Sequence, residues 1–309
     1  MSGKPGTGLE IADISVVGIT PAPSFRETGV VTLALLPRDG SGLPVTESYL
    51  DIKIAITSPE CTAELQSCTL QKPSEGGQLI TALDLDSSGS MGDNDPSDLR
   101  KGAAKAFIDQ LGPKDVVGVF DFGAGATPPF SRTRLLADFT EEKAAAKAAV
   151  DEVLSKGGTP LYSSVVELLG YFDSKYESGG YRRSVLVMSD GDGSGTLEAA
   201  CAVAADTGIV VHTLGFGPAA DKSPVADQRA VERLRSLASC AKGHYIGVQV
   251  AGELTSVFTN LGQATKAGSV LVTVSLSPVP AALSTVEGAI AVGNGAQQLV
   301  STGFSFAVP

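Results

Sequence analysis

LDLDSSGSMGDND, the stretch from Leu83 to Asp95, places four aspartates and three serines directly after an apolar run. It contains no lysine, arginine or histidine that would neutralise the carboxylates. Carboxylates are costly to gather without a counter-charge, and ligand sites in open α/β sheets lie beyond the carboxyl ends of the strands. The stretch therefore predicts a site at the end of a buried strand, at which carboxylates surround a cation.

The pattern around this stretch extends from about residue 79 to residue 265, where short apolar runs alternate with helical segments. Buried strands are predicted at QLITALDLD, VVGVFDF, SVLVMSD and IVVHTLGFG. Helices are predicted at DPSDLRKGAAKAFIDQL, FTEEKAAAKAAVDEVL, TPLYSSVVELLGYF, LEAACAVAAD and DQRAVERLRSLASC. Strands that alternate with helices predict an α/β fold with a mostly parallel sheet covered on both faces.

The two ends of the chain have the period of half-buried strands instead. YLDIKIAIT, GVVTLALLP, SVLVTVSLSP and GFSFAVP are the clearest strand predictions. Neither end alone is long enough for a comfortable β-sandwich, but together they approach the ~100 residues that such a domain commonly uses. We expect residues 1–77 and 267–309 to form one discontinuous β-sandwich, into which an α/β domain of residues 78–266 is inserted. The alternative is two separate small β units.

Composition limits the classes of partner. The chain has 23 Lys and Arg against 34 Asp and Glu, a formal net charge of −11, and its basic residues are scattered. Nucleic acid is therefore a poor partner. No apolar run reaches the roughly 18 residues that a membrane-spanning helix needs, and no leader is seen at the start. The chain is expected to be extracellular or on the cell surface after removal of a leader, with the cytosol as the alternative.

The cysteines stand at positions 61, 68, 201 and 240. Cys61 and Cys68 lie close together in a polar stretch, which suits a hairpin disulfide, and Cys201 with Cys240 is the second pair. Four free, buried thiols are the alternative, because cysteine is among the most buried residue types. The chain has no Cys-x-x-Cys motif and only two histidines, so neither a zinc site nor a thiol redox site is expected.

Three oxygen-rich segments stand at predicted strand ends or helix starts and supply the candidate metal ligands, which are Asp86, Ser88, Ser90, Thr159 and Asp190. Carboxylates and hydroxyls are hard oxygen donors, which suit Mg²⁺, Mn²⁺ or Ca²⁺ better than zinc or copper. Two carboxylates neutralise the charge of a divalent ion only if both contact it directly. If they act partly through water, the ion stays electrophilic and one coordination position is left for an incoming carboxylate.

These residues resemble the metal-ion-dependent adhesion site of the von Willebrand factor type A domain. The matching motifs are Asp-x-Ser-Gly-Ser after an apolar strand, Gly-Gly-Thr-Pro at a helix start and a strand-final Ser-Asp-Gly. The resemblance covers about 60% of the chain. It implies a doubly wound fold, no enzymatic activity, and a Mg²⁺-type ion whose sixth ligand is an Asp or Glu carboxylate of a partner protein. Adhesion and complex assembly are the usual roles, and related bacterial and animal proteins often add a β-sandwich.

Asp84 departs from this family pattern, because an apolar strand residue is usual at its position. It either tunes the charge of the site or pairs with a basic neighbour. Asp84 also supports an enzymatic alternative, since DLDSS imitates the start of haloacid-dehalogenase-type phosphatases, which are Mg²⁺-dependent. In that hypothesis Asp84 is the nucleophile and Asp86 the acid/base. Gly-Gly-Thr-Pro would then have no role.

Two further acidic patterns have other interpretations. DGDGSGT, from Asp190, imitates the first half of an EF-hand loop, but Cys201 occupies the position that requires a glutamate. Asp93, Asp95 and Asp98 either hold a second ion or, as we expect, cap the following helix and face solvent.

Overall fold

The computed structural model of the protein describes residues 10–22, 24–40, 43–45, 51–71, 78–177, 181–191, 193–221, 223–249, 268–282, 284–293 and 299–308. The chain divides into two compact units, one of Met1–Pro73 with Gln263–Pro309 and one of Ser74–Gly262. Residues 77 and 266, at which the predicted domain boundaries fall, lie outside the described residues, so those boundaries stay predictions.

The helices and strands follow the predicted alternation along the chain. The strands are β1 (Asp13–Pro21), β2 (Val30–Arg38), β3 (Asp51–Ser58), β4 (Thr62–Gln71), β5 (Gln78–Asp86), β6 (Val116–Phe122), β7 (Thr133–Thr140), β8 (Tyr181–Ser189), β9 (Val210–Gly215), β10 (Tyr245–Gly247), β11 (Ser269–Ser277), β12 (Thr285–Gly293) and β13 (Val300–Ala307). The helices are α1 (Phe25–Thr28), α2 (Met91–Asn94), α3 (Leu99–Gln110), α4 (Lys143–Asp151), α5 (Leu161–Lys175), α6 (Leu197–Thr207) and α7 (Gln228–Cys240). None of these described helices is long and apolar enough to cross a membrane.

Six strands form the sheet of the α/β unit, in the order β10-β9-β8-β5-β6-β7. Strand β5 pairs in parallel with β6 and β8, and β9 and β10 continue the parallel pairing. Strand β7 runs antiparallel at the opposite edge. One apolar core lies between the sheet and α5, α6 and α7, and another between the sheet and α3 and α4. The predicted α/β class, a mostly parallel sheet covered on both faces, is confirmed.

One predicted helix begins later than the sequence pattern indicated. Phe139 and Thr140, the first two residues of FTEEKAAAKAAVDEVL, belong to β7, and α4 starts only at Lys143. Phe139 packs at the sheet edge, with its ring centroid 4.7 Å from that of Phe172 on α5. Packing of this partly buried aromatic ring against the core therefore favours the strand over the helix for these two residues.

Two antiparallel sheets form the β unit, with strand orders β1-β2-β11-β4 and β13-β12-β3. Strand β11 lies between β2 and β4, and β12 lies between β13 and β3. Both sheets contribute to one apolar core, for example through Leu33 of the first and Phe306 of the second. Strands from the two ends of the chain thus share both sheets, so the alternative of two separate β units is wrong.

The structure confirms one predicted disulfide and corrects the other. Cys201 on α6 is bonded to Cys240 at the end of α7, with a Cα–Cα distance of 5.6 Å. Cys61 and Cys68 are free thiols. The predicted hairpin is absent there because Cys61 immediately precedes β4 and Cys68 lies within that same strand. At ~3.3 Å per residue, one extended strand holds the two sulfurs far beyond bonding distance.

Candidate metal centre

The predicted site lies at the carboxyl edge of the parallel sheet, where β5 and β8 end side by side. Asp86 is the last residue of β5 and Ser189 the last of β8. The Ser189 hydroxyl donates to Asp86 Oδ2 at 2.6 Å. Parallel register thus brings the segment after β5 and the segment after β8 together, as expected for an open α/β sheet.

The loop after β5 folds back on the Asp86 carboxylate. The backbone N–H of Ser88 donates to Asp86 Oδ1 at 2.8 Å, and the hydroxyls of Ser88 and Ser90 lie 3.0 Å apart. Asp86 and Ser88 are buried, whereas Ser90 is partly exposed. Three of the five candidate ligands are therefore joined directly by hydrogen bonds.

Asp190 joins this group through charge and through α2. Its carboxylate is buried, and Asn94 of α2 donates to Oδ2 at 2.9 Å. Burial and the nearby negative charge of Asp190 raise the pKa of Asp86 to about 7, although hydrogen bonds from Ser189 and Ser88 act in the opposite direction. A buried carboxylate whose ionised form is disfavoured by burial and by a neighbouring carboxylate is a fitting environment for a cation, which would stabilise that ionised form.

Thr159 approaches the site through the backbone of its own segment. Gly89 N donates to Gly157 O at 3.1 Å, and Lys156 N donates to Ser87 O at 2.7 Å. Thr159, two residues beyond Gly157, is partly buried. The segment before α5 is thereby hydrogen-bonded to the loop after β5, which places all three predicted segments at one edge of the sheet.

Two glycines make this close approach possible. Gly157 has φ of +93°, and a Cβ added there would lie 1.9 Å from Gly123 O. Gly123, in the loop after β6, has φ of +114°, and a Cβ there would lie 2.8 Å from Ser88 N. Only glycine fits such a contact in this backbone region, so neither position tolerates a side chain without movement of the loops.

The donor chemistry of the edge fits a hard cation with few carboxylate ligands. Within the described residues, no group of three or more His, Cys, Asp or Glu side chains is placed to hold a metal. An ion held here would therefore depend on serine and threonine hydroxyls and on water in addition to two carboxylates. Such a shell is one that Mg²⁺, which tends to keep several waters, accepts.

Asp84 lies beneath the site rather than at its surface. Its side chain is fully buried, and the Ser164 hydroxyl of α5 donates to it at 3.1 Å. Burial raises the pKa of Asp84 to about 8. Its hydrogen-bond partner is thus a hydroxyl and not the basic neighbour proposed as one possibility. A carboxyl covered by a helix is also unreachable for a substrate, which counts against the phosphatase alternative.

The acidic residues after the site do not share one role. Asp95 accepts from the backbone N–H groups of Leu99 at 2.6 Å and Arg100 at 3.0 Å, so the predicted cap of α3 is present. The prediction that Asp95 faces solvent is wrong, because its carboxylate is buried against the Arg100 guanidinium at 2.8 Å. Asp93 and Asp98 are exposed.

The EF-hand interpretation of the loop after β8 is excluded by its twelfth position. Cys201 lies within α6 and is bonded to Cys240, so it supplies no ligand. Asp192, the third position of that pattern, lies outside the described residues.

Three contributors to the edge were not predicted as such. Ser189 and Asn94 each donate a hydrogen bond to a candidate ligand, and Gly123 packs against the loop after β5. Ser189 stands next to Asp190 in the strand-final motif, which was the available signal. The role of Asn94 depends on how α2 is placed over β8, which no local pattern in the sequence records.

A parallel sheet whose carboxyl edge carries serine, threonine, aspartate and glycine loops has the arrangement at which open α/β domains hold their ligands. The sequence model of the von Willebrand factor type A domain matches residues 82–260, more than half of the chain. The chain therefore belongs to the von Willebrand factor type A domain family.

Solved structures similar to the chain include three from different sources. An aerotolerance-related membrane protein from Bacteroides fragilis NCTC 9343 has 23% identity and a TM-score of 0.48, over 61% of this chain and 98% of that one. A von Willebrand factor type A protein from Catenulispora acidiphila has 14% identity and a TM-score of 0.46, over 98% and 75%. The manganese-loaded TRAP protein of Plasmodium vivax has 14% identity and a TM-score of 0.45, over 80% and 98%. No curated protein sequence matches the chain.

Proposed function

We propose that the protein is a non-enzymatic, metal-dependent protein-binding module. The observation that carries the proposal is the pair of buried carboxylates, Asp86 and Asp190, beside the hydroxyls of Ser88 and Ser90 at the carboxyl edge of the sheet. Membership in the von Willebrand factor type A domain family supports a role in protein interaction.

The residues that would hold the ion are Asp86, Ser88, Ser90, Thr159 and Asp190, with Mg²⁺ as the first candidate and Mn²⁺ or Ca²⁺ as alternatives. A bound divalent cation would supply an electrophilic centre with one coordination position for an outside ligand. Asp86 accepts hydrogen bonds on both of its oxygens, from Ser88 N and from the Ser189 hydroxyl. These donors draw charge from the carboxylate, so the site retains an attraction for a further anion.

The ligand that fits this position best is the carboxylate of an Asp or Glu side chain on a partner protein. The two site carboxylates are also hydrogen-bonded to protein donors, so they would leave part of the ion's positive charge uncompensated. A partner carboxylate would supply the missing negative charge. Because the chain as a whole carries a net charge of −11, general electrostatic attraction does not favour an acidic partner. The local positive charge of the ion would then decide the binding.

The β unit is proposed to act as a stalk or spacer for an α/β domain of residues 78–266, and as a second contact surface. Extracellular or cell-surface placement is part of the proposal. The Cys201–Cys240 disulfide supports it, because disulfides persist mainly in oxidising compartments.

The first experiment measures Mn²⁺ binding to the full chain by titration calorimetry. Asp86→Ala is expected to abolish binding and Thr159→Ala to weaken it at least tenfold, with circular dichroism unchanged. Asp84→Asn is the matched control, since Asp84 is a buried carboxyl on the same strand that faces α5. It is expected to bind Mn²⁺ like the wild type.

The second experiment tests the partner chemistry. An array of peptides with a central Asp or Glu is probed with the full chain in Mg²⁺ and in chelator, next to the same peptides with Asn or Gln. Binding that requires both Mg²⁺ and the acidic residue supports the proposal. Unchanged binding by the Asp86→Ala variant would overturn it. If chelation lowers the melting temperature without affecting any peptide, the ion is a structural one.

A further inference from the structure

The segment that leads to Thr159 is held by an arginine whose side chain has no solvent exposure. Arg100 lies on α3, and its Nη2 donates to Leu154 O at 3.0 Å and to the Ser155 hydroxyl at 2.8 Å. Both acceptors lie within five residues of Thr159. The guanidinium therefore fixes the chain directly before the glycine pair that precedes this candidate ligand.

The other side of the same guanidinium holds the loop after β5. Arg100 Nη1 lies 2.8 Å from Asp95 Oδ2, and Asp95 immediately follows α2. Helix α2 also carries Asn94, which donates to Asp190. The buried side chain of Arg100 thus joins the segment that carries Ser88 and Ser90 to the segment that carries Thr159.

A second arginine holds the same segment from the other direction. Arg134 of β7 donates from Nη2 to Glu152 O at 3.0 Å. It also makes a two-pronged contact with the buried Asp121 of β6, in which Nε lies 2.9 Å from Oδ1. Residues 152–155 are therefore tied to α3 and to the edge of the sheet before the chain reaches the site.

We propose that Arg100 is a positioning residue that sets the place of Thr159 relative to the loop carrying Asp86, Ser88 and Ser90. The proposal rests on the metal-binding function proposed above. Its physical basis is the guanidinium fork, which presents several donors in a fixed plane and satisfies acceptors on two segments at once. A lysine carries one compact charge, so it can keep the contact with Asp95 but not the geometry toward Leu154 and Ser155.

The segment requires such a tie because its own backbone is permissive. Gly157 and Gly158 separate Ser155 and Lys156 from Thr159, and Gly157 adopts φ of +93°. Two backbone hydrogen bonds, Lys156 N to Ser87 O and Gly89 N to Gly157 O, also cross between the loops. Those bonds form only if residues 152–155 lie close to the loop after β5. Arg100 controls the distance between this segment and that loop.

The test compares Arg100→Lys with Arg183→Lys in the full chain, using Mn²⁺ alone as the probe. Arg183 is a matched control, since it is also buried and donates to Asp173 and to the carbonyls of Tyr176 and Thr207, but near the start of β8. Arg100→Lys is expected to raise the Kd for Mn²⁺ about tenfold, the usual effect of losing a group that orients a ligand. Arg183→Lys is expected to leave it within about twofold. Equal effects of the two variants would overturn the proposal.

A double-mutant cycle shows whether Arg100 acts through Thr159. If it does, adding Arg100→Lys to Thr159→Ala weakens Mn²⁺ binding by less than about threefold, because the residue being positioned is already removed. Fully additive losses would contradict the proposal. Ser155→Ala, which leaves the Arg100–Asp95 pair intact, gives a milder version of the same cycle if Arg100→Lys fails to fold.

Amide hydrogen exchange in chelator separates this proposal from the metal-binding function. The N–H groups of Lys156 and Gly89 are expected to exchange at least tenfold faster in Arg100→Lys than in wild type, and unchanged in Arg183→Lys. If wild type fails to bind Mn²⁺ but the exchange result holds, the proposed function is wrong and the tie between the loops stands. Unchanged exchange at both amides refutes the role of Arg100 whether or not metal binds.

Discussion

Removal of the Cys201–Cys240 disulfide is expected to destabilise the α/β unit by an amount set by the length of the closed loop. The two cysteines are 39 residues apart in sequence. In the chain-entropy description, cross-linking a loop of this length removes about 13 cal/mol/K from the unfolded ensemble, or about 4 kcal/mol at 25 °C. For a unit the size of Ser74–Gly262, that corresponds to a fall in Tm of roughly 8–16 °C.

The double substitution Cys201→Ser with Cys240→Ser, followed by urea unfolding, measures this quantity. Tyrosine fluorescence is a selective probe, because the chain has no tryptophan and five of its six tyrosines lie within Ser74–Gly262. Cys61→Ser with Cys68→Ser is the matched control, and it is expected to leave the transition in place since both thiols are free.

Two results would refute this reasoning. A loss below about 1 kcal/mol in Cys201→Ser with Cys240→Ser means that the cross-link does not restrict the unfolded chain as the loop length requires. A comparable loss in the Cys61 and Cys68 control means that the pairing is wrong. Alkylation of the unfolded chain without reductant gives an independent check, with two modified cysteines expected before reduction and four after it.

Two further predictions concern pH. Asp84→Asn is expected to raise the free energy of unfolding by about 2–5 kcal/mol at pH 9. Burial raises the folded-state pKa of Asp84 to about 8, so the stability that its protonated carboxyl contributes in the wild type is lost as pH rises from about 4 to 8. Denaturant unfolding at pH 5 and pH 9 measures this difference, and an unchanged dependence of stability on pH would contradict the prediction. His212 and His244 are buried, and burial lowers their pKa values to about 3 and about 4. The free energy of unfolding is therefore expected to fall by up to about 2 kcal/mol per histidine as pH falls from 6.5 to 5. His212→Gln in the Asp84→Asn background should roughly halve this loss in the same assay, and an equal loss with and without His212→Gln would contradict the prediction.

The elements most accessible from sequence were those with a strong period. QLITALDLD, VVGVFDF and SVLVMSD correspond to β5, β6 and β8, because strands buried on both faces read as continuous apolar runs. Strand β12, with the sequence TVEGAIAVG, was missed. It is rich in alanine and glycine, which have weak strand preference, and it is held in the sheet by pairing with β3 and β13 on either side.

The residues of the candidate site also differ in how well the sequence predicts their positions. Asp86, Ser88, Ser90 and Asp190 stand at the ends of strong strands, so their convergence follows from parallel register. The cysteine error arose because a spacing of seven residues fits either a hairpin or one strand, and β4 is a single strand. Local spacing carries no information about which of these forms, since the choice depends on pairing with a distant strand.

Arg100 could not be identified from sequence because its acceptors beside the site are a backbone carbonyl and a serine hydroxyl of a distant segment. Leu154 O and Ser155 Oγ lie more than fifty residues away in sequence, and a carbonyl acceptor leaves no signature in residue type.

The contacts of Arg100 also explain how the carboxyl edge of the sheet tolerates two buried carboxylates. Asp86 and Asp190 are buried near each other, and burial together with the charge of Asp190 disfavours the ionised form of Asp86. A loop free to move would relieve that repulsion by separating the carboxylates into solvent. The buried pair of Arg100 with Asp95, and the hydrogen bonds of Asn94 and Ser189, oppose such movement, so they hold in place the geometry that we propose attracts a cation.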